Sequence, residues 1–189
     1  LYFSKFYVSQ NMIRTLRVLI LGILAIGIFS TCSNSKSKDL SEGNDMVSQE
    51  HDGSFHLKLE EASCYSDQEN PSGNTAEWVF IVPNPGRYKV WLSSATTDTT
   101  RLNYANSVKI SLLDNQLEKI PECDKIVKDS KEVSYPYFRT DSYMGSLYFP
   151  EPGEYNLQVI SEKITSEGSA IDQSDNTRLM SLMLVPMTR

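Results

Sequence analysis

Two stretches of the chain, "EWVFIVPNPGRYKVWL" at 77–92 and "GSLYFPEPGEYNLQV" at 145–159, share one pattern. In each, a run of alternating apolar residues enters a Pro-x-Pro-Gly-x-Tyr turn, and a second alternating run leaves it. Pro and Gly are turn residues, and a period of two is typical of a strand with one buried face. We therefore predict one strand–turn–strand hairpin for each copy, with the two copies at related places in the fold.

Other parts of the chain alternate in the same way. They are "SFHLKLEEA" at 54–62, "SVKISLLD" at 107–114 and "RLMSLMLVP" at 178–186. Helical spacing is not sustained anywhere after residue 52, and the stretches between the strands read as turns and long loops. About eight short strands predict an all-β fold, an antiparallel β-sandwich. With 189 residues, 40% of them hydrophobic, the chain has enough apolar residues for the core of one such domain, which we place at 53–189.

The N-terminal part reads as a targeting segment. After Met12, two arginines precede an unbroken apolar run from Val18 to Phe29. A cationic start followed by a short apolar run is the layout of a secretory signal. The run is shorter than the ~20 residues of a membrane-spanning helix, so we favour a signal peptide ending at residue 31. Residues 1–11, which precede Met12, read as an over-extended gene start.

The four residues "FSTC" at 29–32 resemble the lipobox of bacterial lipoproteins, although Phe29 and Thr31 differ from the usual residues. The resemblance implies that Cys32 becomes the lipidated first residue of the mature protein. The alternative is a cleaved signal with Cys32 as an incidental thiol. The segment 32–52 lacks apolar periodicity and reads as a flexible tether. We therefore expect an exported protein that a lipid anchors to a bacterial membrane, the outer membrane of the cell envelope.

The charge of the mature chain argues against one class of partner. The three basic residues before Cys32 would leave with the signal, so 15 basic and 24 acidic residues remain, a net charge of −9. Phosphate backbones are bound by clustered Lys and Arg, and the sequence contains no such cluster. We therefore expect no nucleic-acid partner.

Two cysteines remain if Cys32 is acylated, namely Cys64 and Cys123. An even pair in an oxidising compartment is consistent with a disulfide. The alternative is two buried free thiols.

The residue types needed for catalysis are sparse. The chain has two histidines, His51 in the tether and His56 on the outward phase of the first strand, and neither has a metal-binding neighbour at a suitable spacing. Glu60 and Glu61 are adjacent, so on a strand they would point to opposite faces. We therefore expect no enzymatic activity; the alternative is a pair of carboxylates assembled from distant loops.

Candidate ligand-binding residues are aromatic side chains near polar ones. Trp91 shares its strand phase with Arg87 and Lys89, which predicts that it points outward; the alternative is a Trp covered by a loop or by a second sheet. Trp78, in phase with Phe80, is assigned to the core.

A second candidate is the loop "SYPYFRTDSYMG" at 134–145, which is dense in aromatic residues. Such a loop is either a binding surface or a loop folded back over the sandwich. Its candidate residues are Tyr135, Tyr137, Arg139 and Tyr143.

The order of these features resembles jelly-roll modules related to carbohydrate-binding modules of families 6 and 35, which are galactose-binding-like. The resemblance rests on the two Pro-Gly-x-Tyr stretches, "SVKISLLDN" and the closing apolar strand, and spans roughly residues 53–186. It implies a jelly-roll sandwich of about eight strands and a carbohydrate ligand. The rival interpretation is an interaction lipoprotein that docks on a protein partner in an envelope complex through the same aromatic loop.

The resemblance also implies two sites. Modules of this kind often bind sugar in the loops at one edge of the sandwich, where "RLNYAN" at 101–106 supplies Tyr104. They often hold a structural Ca²⁺ between the ends of the first and last strands. The alternative is a set of solvated acids. The acidic residues at these places are Glu60, Glu61, Asp172 and Asp175.

Overall fold

The computed structural model describes residues 46–67, 69–164 and 176–187. Within these ranges the chain forms ten strands and no α-helix, so the all-β prediction is confirmed with two more strands than expected. Short 3₁₀ turns lie at Leu59–Glu61 and Pro71–Gly73. The strands are β1 (Phe55–Lys58), β2 (Ser63–Tyr65), β3 (Thr75–Val82), β4 (Gly86–Thr96), β5 (Val108–Leu112), β6 (Asn115–Lys119), β7 (Lys125–Val127), β8 (Phe138–Phe149), β9 (Gly153–Ile160) and β10 (Thr177–Pro186).

The strands form two antiparallel sheets of five, and the predicted sandwich is confirmed. The front sheet has the order β1-β10-β4-β8-β7, and the back sheet has the order β2-β3-β9-β5-β6. Alternate residues of both sheets point inward and make one apolar core. Trp78 lies in that core as predicted, and its indole Nε1 donates a 2.7 Å hydrogen bond to the Lys58 carbonyl.

The hairpin prediction for the two Pro-x-Pro-Gly-x-Tyr stretches is wrong. Strand β3 pairs with β9, and β4 pairs with β8 and β10, so β3 and β4 belong to different sheets. The turn at 83–85 carries the chain from the back sheet to the front sheet, and the turn at 150–152 carries it back. Because β3 pairs with β9 and β4 with β8, the two crossovers lie side by side. Turn residues and alternation predicted where the chain reverses, but they carry no information on which sheet it joins next.

The tyrosine of each copy has the same role. The Tyr88 hydroxyl donates a 2.8 Å hydrogen bond to the carbonyl of Asn84, and the Tyr155 hydroxyl donates a 2.7 Å bond to the carbonyl of Glu151. Each bond reaches four residues back into the crossover turn. The Phe149 ring meets both tyrosine rings edge-on, at 5.2 and 4.9 Å between centroids. The motif occurs twice because a tyrosine hydrogen bond stabilises each crossover, as in the tyrosine corners of other sandwiches.

Strand β4 and strand β8 are longer than the apolar pattern predicts. Strand β4 continues to Thr96, and β8 begins at Phe138, inside the predicted loop. Their added ends are rich in Ser, Thr and Asp, and they pair with each other, as in Ser93 opposite Asp141. Polar residues of this kind are typical of loops, so the sequence pattern did not reveal a strand there.

The predicted disulfide is wrong, since the sulfurs of Cys64 and Cys123 are not bonded to each other. Cys64 lies in β2 at one edge of the back sheet, and Cys123 follows β6 at the opposite edge. Four inter-strand spacings separate these edges by about 19 Å, whereas a disulfide needs Cα atoms about 4.4–6.8 Å apart. Burial, followed by the charges of Asp98 and Asp124, raises the pKa of the Cys123 thiol.

The predicted signal segment, Cys32 and most of the tether lie outside the described residues. Among the residues that the structure describes, no helix is long and apolar enough to cross a bilayer.

Candidate functional site

The candidate site lies on the outer face of the front sheet, the face turned away from the core. Strand β4 is the middle strand of this sheet and sends Arg87, Lys89 and Trp91 outward in succession. We call the part around these three residues and the facing tyrosines of β8, Tyr143 and Tyr148, the open half. The rest of the face, where residues 128–137 lie over the strands, is the covered half.

The open half presents aromatic rings to solvent. Trp91 is paired across the strands with Tyr143, and their ring centroids lie 5.3 Å apart with the planes tilted by 54°. Tyr143 and Tyr148 are 38% and 50% exposed. The Arg87 guanidinium lies 6.0 Å from the centre of the Tyr148 ring, and its Nη1 is 3.5 Å from the hydroxyl of Ser146. This surface combines flat apolar faces with hydrogen-bond donors.

A β-bulge turns Tyr143 outward. Strict alternation from the buried Leu147 would place Tyr143 on the core side, but the register between β4 and β8 shifts at this point, so that Val90 faces Gly145 and Trp91 faces Tyr143. The extra residue, Met144, is buried. Gly145 has φ +134°, and a Cβ there would lie 3.1 Å from a Leu117 methyl carbon. The bulge therefore depends on glycine, and it places the second ring beside Trp91.

The covered half is a buried polar network. Asp141 accepts a 2.8 Å hydrogen bond from the Ser93 hydroxyl and a 2.9 Å bond from Arg139 Nε at the same carboxylate oxygen. Arg139 Nη1 donates a 2.7 Å bond to Glu132 in the loop above. Burial would lower the pKa of Arg139, but the hydrogen bonds and charges of Asp141 and Glu132 outweigh burial and raise it. Arg139, a predicted ligand contact, fastens the loop to the sheet.

The aromatic residues of the predicted loop have three different positions. Tyr137 packs against Arg178, whose guanidinium lies 4.4 Å from the ring centre. Tyr135 projects into solvent with 90% of its surface exposed. Tyr143 belongs to β8 and the open half. The first part of this segment, up to residue 137, follows the second of the two alternatives, because it is folded back over the sandwich.

Tyr104 is not available to stack on a ligand. It is 8% exposed and belongs to the core, with its hydroxyl 2.9 Å from that of Ser94. The adjoining backbone is held by Glu162, which accepts hydrogen bonds of 2.7 and 3.3 Å from the amides of Ala105 and Asn106. The prediction of a sugar contact at Tyr104 is corrected on this ground, because an aromatic residue in a loop can equally close the end of the core.

A cluster that sequence reasoning missed joins three chain segments. His56 Nε2 lies 2.9 Å from the Ser181 hydroxyl and 3.6 Å from a Glu132 carboxylate oxygen. These are the residue types of a hydrolytic triad, but a triad base uses opposite ring nitrogens for the two partners, whereas one nitrogen makes both contacts here. Ser181 is also buried. We assign the cluster to holding residues 128–137 against β1 and β10.

Among the described residues, no group of three or more His, Cys, Asp or Glu is placed to hold a metal. Glu60 and Glu61 lie 3.7 and 3.8 Å from the ammonium of Lys58. Asp172 and Asp175, the other two proposed Ca²⁺ ligands, lie outside the described residues, so the calcium site stays a prediction.

Neither a protein-family model nor a curated protein matches the chain. Among solved structures, it is similar to an α-L-fucosidase from Vibrio sp. strain EJY3, with 25% sequence identity and a TM-score of 0.60 over 75% of this chain. The match covers 24% of the fucosidase. A GH26-CBM35 β-(1,4)-mannanase from Podospora anserina matches 73% of this chain and 28% of its own, with 9% identity and a TM-score of 0.44. The chain thus spans about a quarter of the length of the fucosidase.

Proposed function

We propose that the protein binds carbohydrate, without catalysing a reaction, through the open half of the front sheet. The observation that carries the proposal is the Trp91–Tyr143 pair on the outer face, where neither ring contributes to the core. Sugar rings have apolar C–H faces that pack on aromatic rings, and the polar groups around them need hydrogen-bond partners. Arg87, Lys89 and Ser146 supply such partners next to the rings.

The likeness to the fucosidase supports the same proposal. That protein is named for an activity on a sugar, and this chain corresponds to 24% of its length. A segment of that size fits an accessory domain that recognises sugar, and the order of strands and turns resembles jelly-roll modules of families 6 and 35. In this interpretation the sandwich has the recognition role.

We propose further that the sandwich is displayed on the outer membrane of a bacterial envelope. The signal-like segment, the lipobox-like "FSTC" and the tether at 32–52 support this. Metabolic labelling with an alkyne fatty acid tests it: the full chain should be labelled and sediment with membranes, and Cys32→Ala should lose the label. A labelled Cys32→Ala protein would contradict the assignment.

Carbohydrate binding is tested with the detergent-solubilised protein on a panel of polysaccharides. Trp91→Ala should weaken binding by tenfold or more, since truncation of a central aromatic anchor costs on the order of 2 kcal/mol. The matched control is Tyr65→Ala, which removes an exposed ring from the back sheet and should leave binding unchanged. Equal binding by wild type and Trp91→Ala would move the site away from the open half.

A protein partner is the second candidate function, and Tyr135 favours it. An aromatic side chain with 90% of its surface exposed, at the tip of an anchored loop, is typical of a protein contact. Absence of binding across the panel, together with capture of an envelope protein that Tyr135→Ala abolishes, would support this alternative.

A further inference from the structure

We infer that the carbohydrate bound by the open half is acidic, with carboxylate or sulfate groups that Arg87 and Lys89 bind beside Trp91. The inference rests on the proposed function and adds the chemical class of the ligand. It depends on the position of these two cations, on their neighbours and on the charge of the whole chain.

The position of the cations is set by strand geometry. Arg87, Lys89 and Trp91 are successive outward residues of β4, about 6.6–7 Å apart. They form a line of about 13 Å, two cations and then an aromatic ring, along the middle strand of the sheet. A chain molecule lying along this line would meet a charge and a stacking surface at neighbouring units.

The strand neighbours of the two cations carry no negative charge. Arg87 faces Tyr148 on β8, and Lys89 faces Ser146 on β8 and Val185 on β10. Within the described residues, neither cation forms an ion pair with a carboxylate. Some other basic side chains of the sandwich do have such partners, as the pairs Lys109–Glu118, Lys119–Glu122 and Arg139–Glu132 show. In the part of the chain that the structure describes, two cations near the Trp91–Tyr143 pair thus lack an acid partner.

The chemistry of these side chains suits an anionic group. A guanidinium or ammonium group forms charge-assisted hydrogen bonds to carboxylate and sulfate oxygens, which are about twice as strong as neutral ones. The net charge of the chain is −6, so its average electrostatic field repels an acidic polymer. An acidic chain would therefore be directed to the open half, where attraction and stacking coincide.

The experiment compares matched polymers with the detergent-solubilised full chain at fixed ionic strength. One pair is polygalacturonate and its methyl ester, and the other is a sulfated galactan and its desulfated form. We expect an acidic polymer to bind tighter than its neutral partner. The double variant Arg87→Ala, Lys89→Ala should lower the affinity for the acidic polymer by about tenfold or more. This corresponds to the loss of one or two hydrogen bonds to charged groups. The two pairs distinguish carboxylate from sulfate.

Two variants separate specific recognition from general charge attraction and from stacking alone. The double variant Lys128→Ala, Lys131→Ala removes two positive charges from exposed positions of residues 128–137, the covering loop. It should leave binding unchanged. An equal loss in this variant would show general attraction and overturn the inference. Trp91→Ala should lower the affinity for acidic and neutral polymers alike. Equal affinity for the acidic and neutral members of both pairs, still lost in Trp91→Ala, would overturn the inference and leave the proposed function intact. Absence of binding to all four polymers would overturn the inference, whereas only absence of binding across the wider polysaccharide panel would also overturn the proposed function.

Discussion

The open and covered halves of the outer face are built on the same central strands, β4, β8 and β10, and yet their side chains differ in kind. In the covered half the outward positions carry Ser93, Asp141 and Ser181, all buried under residues 128–137 and hydrogen-bonded. In the open half they carry Trp91, which is partly exposed, and Tyr143, which is 38% exposed and whose backbone amide donates a hydrogen bond to Asp124. A buried polar side chain requires a hydrogen-bond partner, whereas an aromatic ring can lie partly exposed without one. The contrast therefore separates a structural half from the half that we propose as the binding site.

The largest effect that would sharpen this contrast is expected in the covered half. Arg139→Met removes the guanidinium that pairs with Asp141, whose side chain is 3% exposed. Breaking a buried ion pair at one partner costs about 3–5 kcal/mol, because the remaining charge is left without compensation. We expect a loss of that order in the free energy of unfolding, measured in urea, with no change in polysaccharide affinity under folding conditions.

A second variant checks the physical reason for that loss. Adding Asp141→Asn to Arg139→Met should recover part of the stability, because the unpaired charge is gone. The surface control is Lys109→Met, whose pair with Glu118 is nearly half exposed and should cost less than about 1 kcal/mol. A loss below about 1 kcal/mol for Arg139→Met would show that the network does not hold the loop.

The next effect concerns the boundary between the halves. Gly145→Ala places a Cβ at φ +134° and 3.1 Å from a Leu117 methyl carbon, so we expect about 1–3 kcal/mol of destabilisation. Relaxation of the bulge would also turn Tyr143 away from Trp91 and weaken polysaccharide binding. The control is Gly153→Ala, where a Cβ meets nothing within 4 Å. Unchanged stability and binding in Gly145→Ala would show that Tyr143 is held outward by other contacts.

The bulge also illustrates what sequence patterns predict. Alternation located the main strands and gave the outward phase of Arg87 and Trp91, because side-chain direction along one strand follows from a period of two. It could not give the orientation of Tyr143, which was assigned to a loop, because one inserted residue reverses the phase. It also gave no indication of β2, β6 and β7, short edge strands in which no residue is fully buried.

The pairing between distant segments could not be predicted from the sequence. The hairpin prediction failed at 83–85 because the chain changes sheets there, and the contacts of His56 with Ser181 and Glu132 join residues 125 and 76 positions apart. Tyr104 was predicted as a ligand contact because an aromatic residue between two asparagines looks the same at a binding site and at the end of a core. Such distinctions depend on tertiary contacts, which local periodicity does not encode.

The smallest effect is expected at Tyr135, and it tests which half carries function. This side chain is 90% exposed, so Tyr135→Ala should change the free energy of unfolding by less than about 0.5 kcal/mol. If the open half is the binding site, polysaccharide affinity should also be unchanged, since Tyr135 belongs to the loop of the covered half. Loss of polysaccharide binding in Tyr135→Ala, with Trp91→Ala unaffected, would reverse the comparison. The covering loop would then be the ligand-binding element, and the open half would only be the exposed part of a structural sheet.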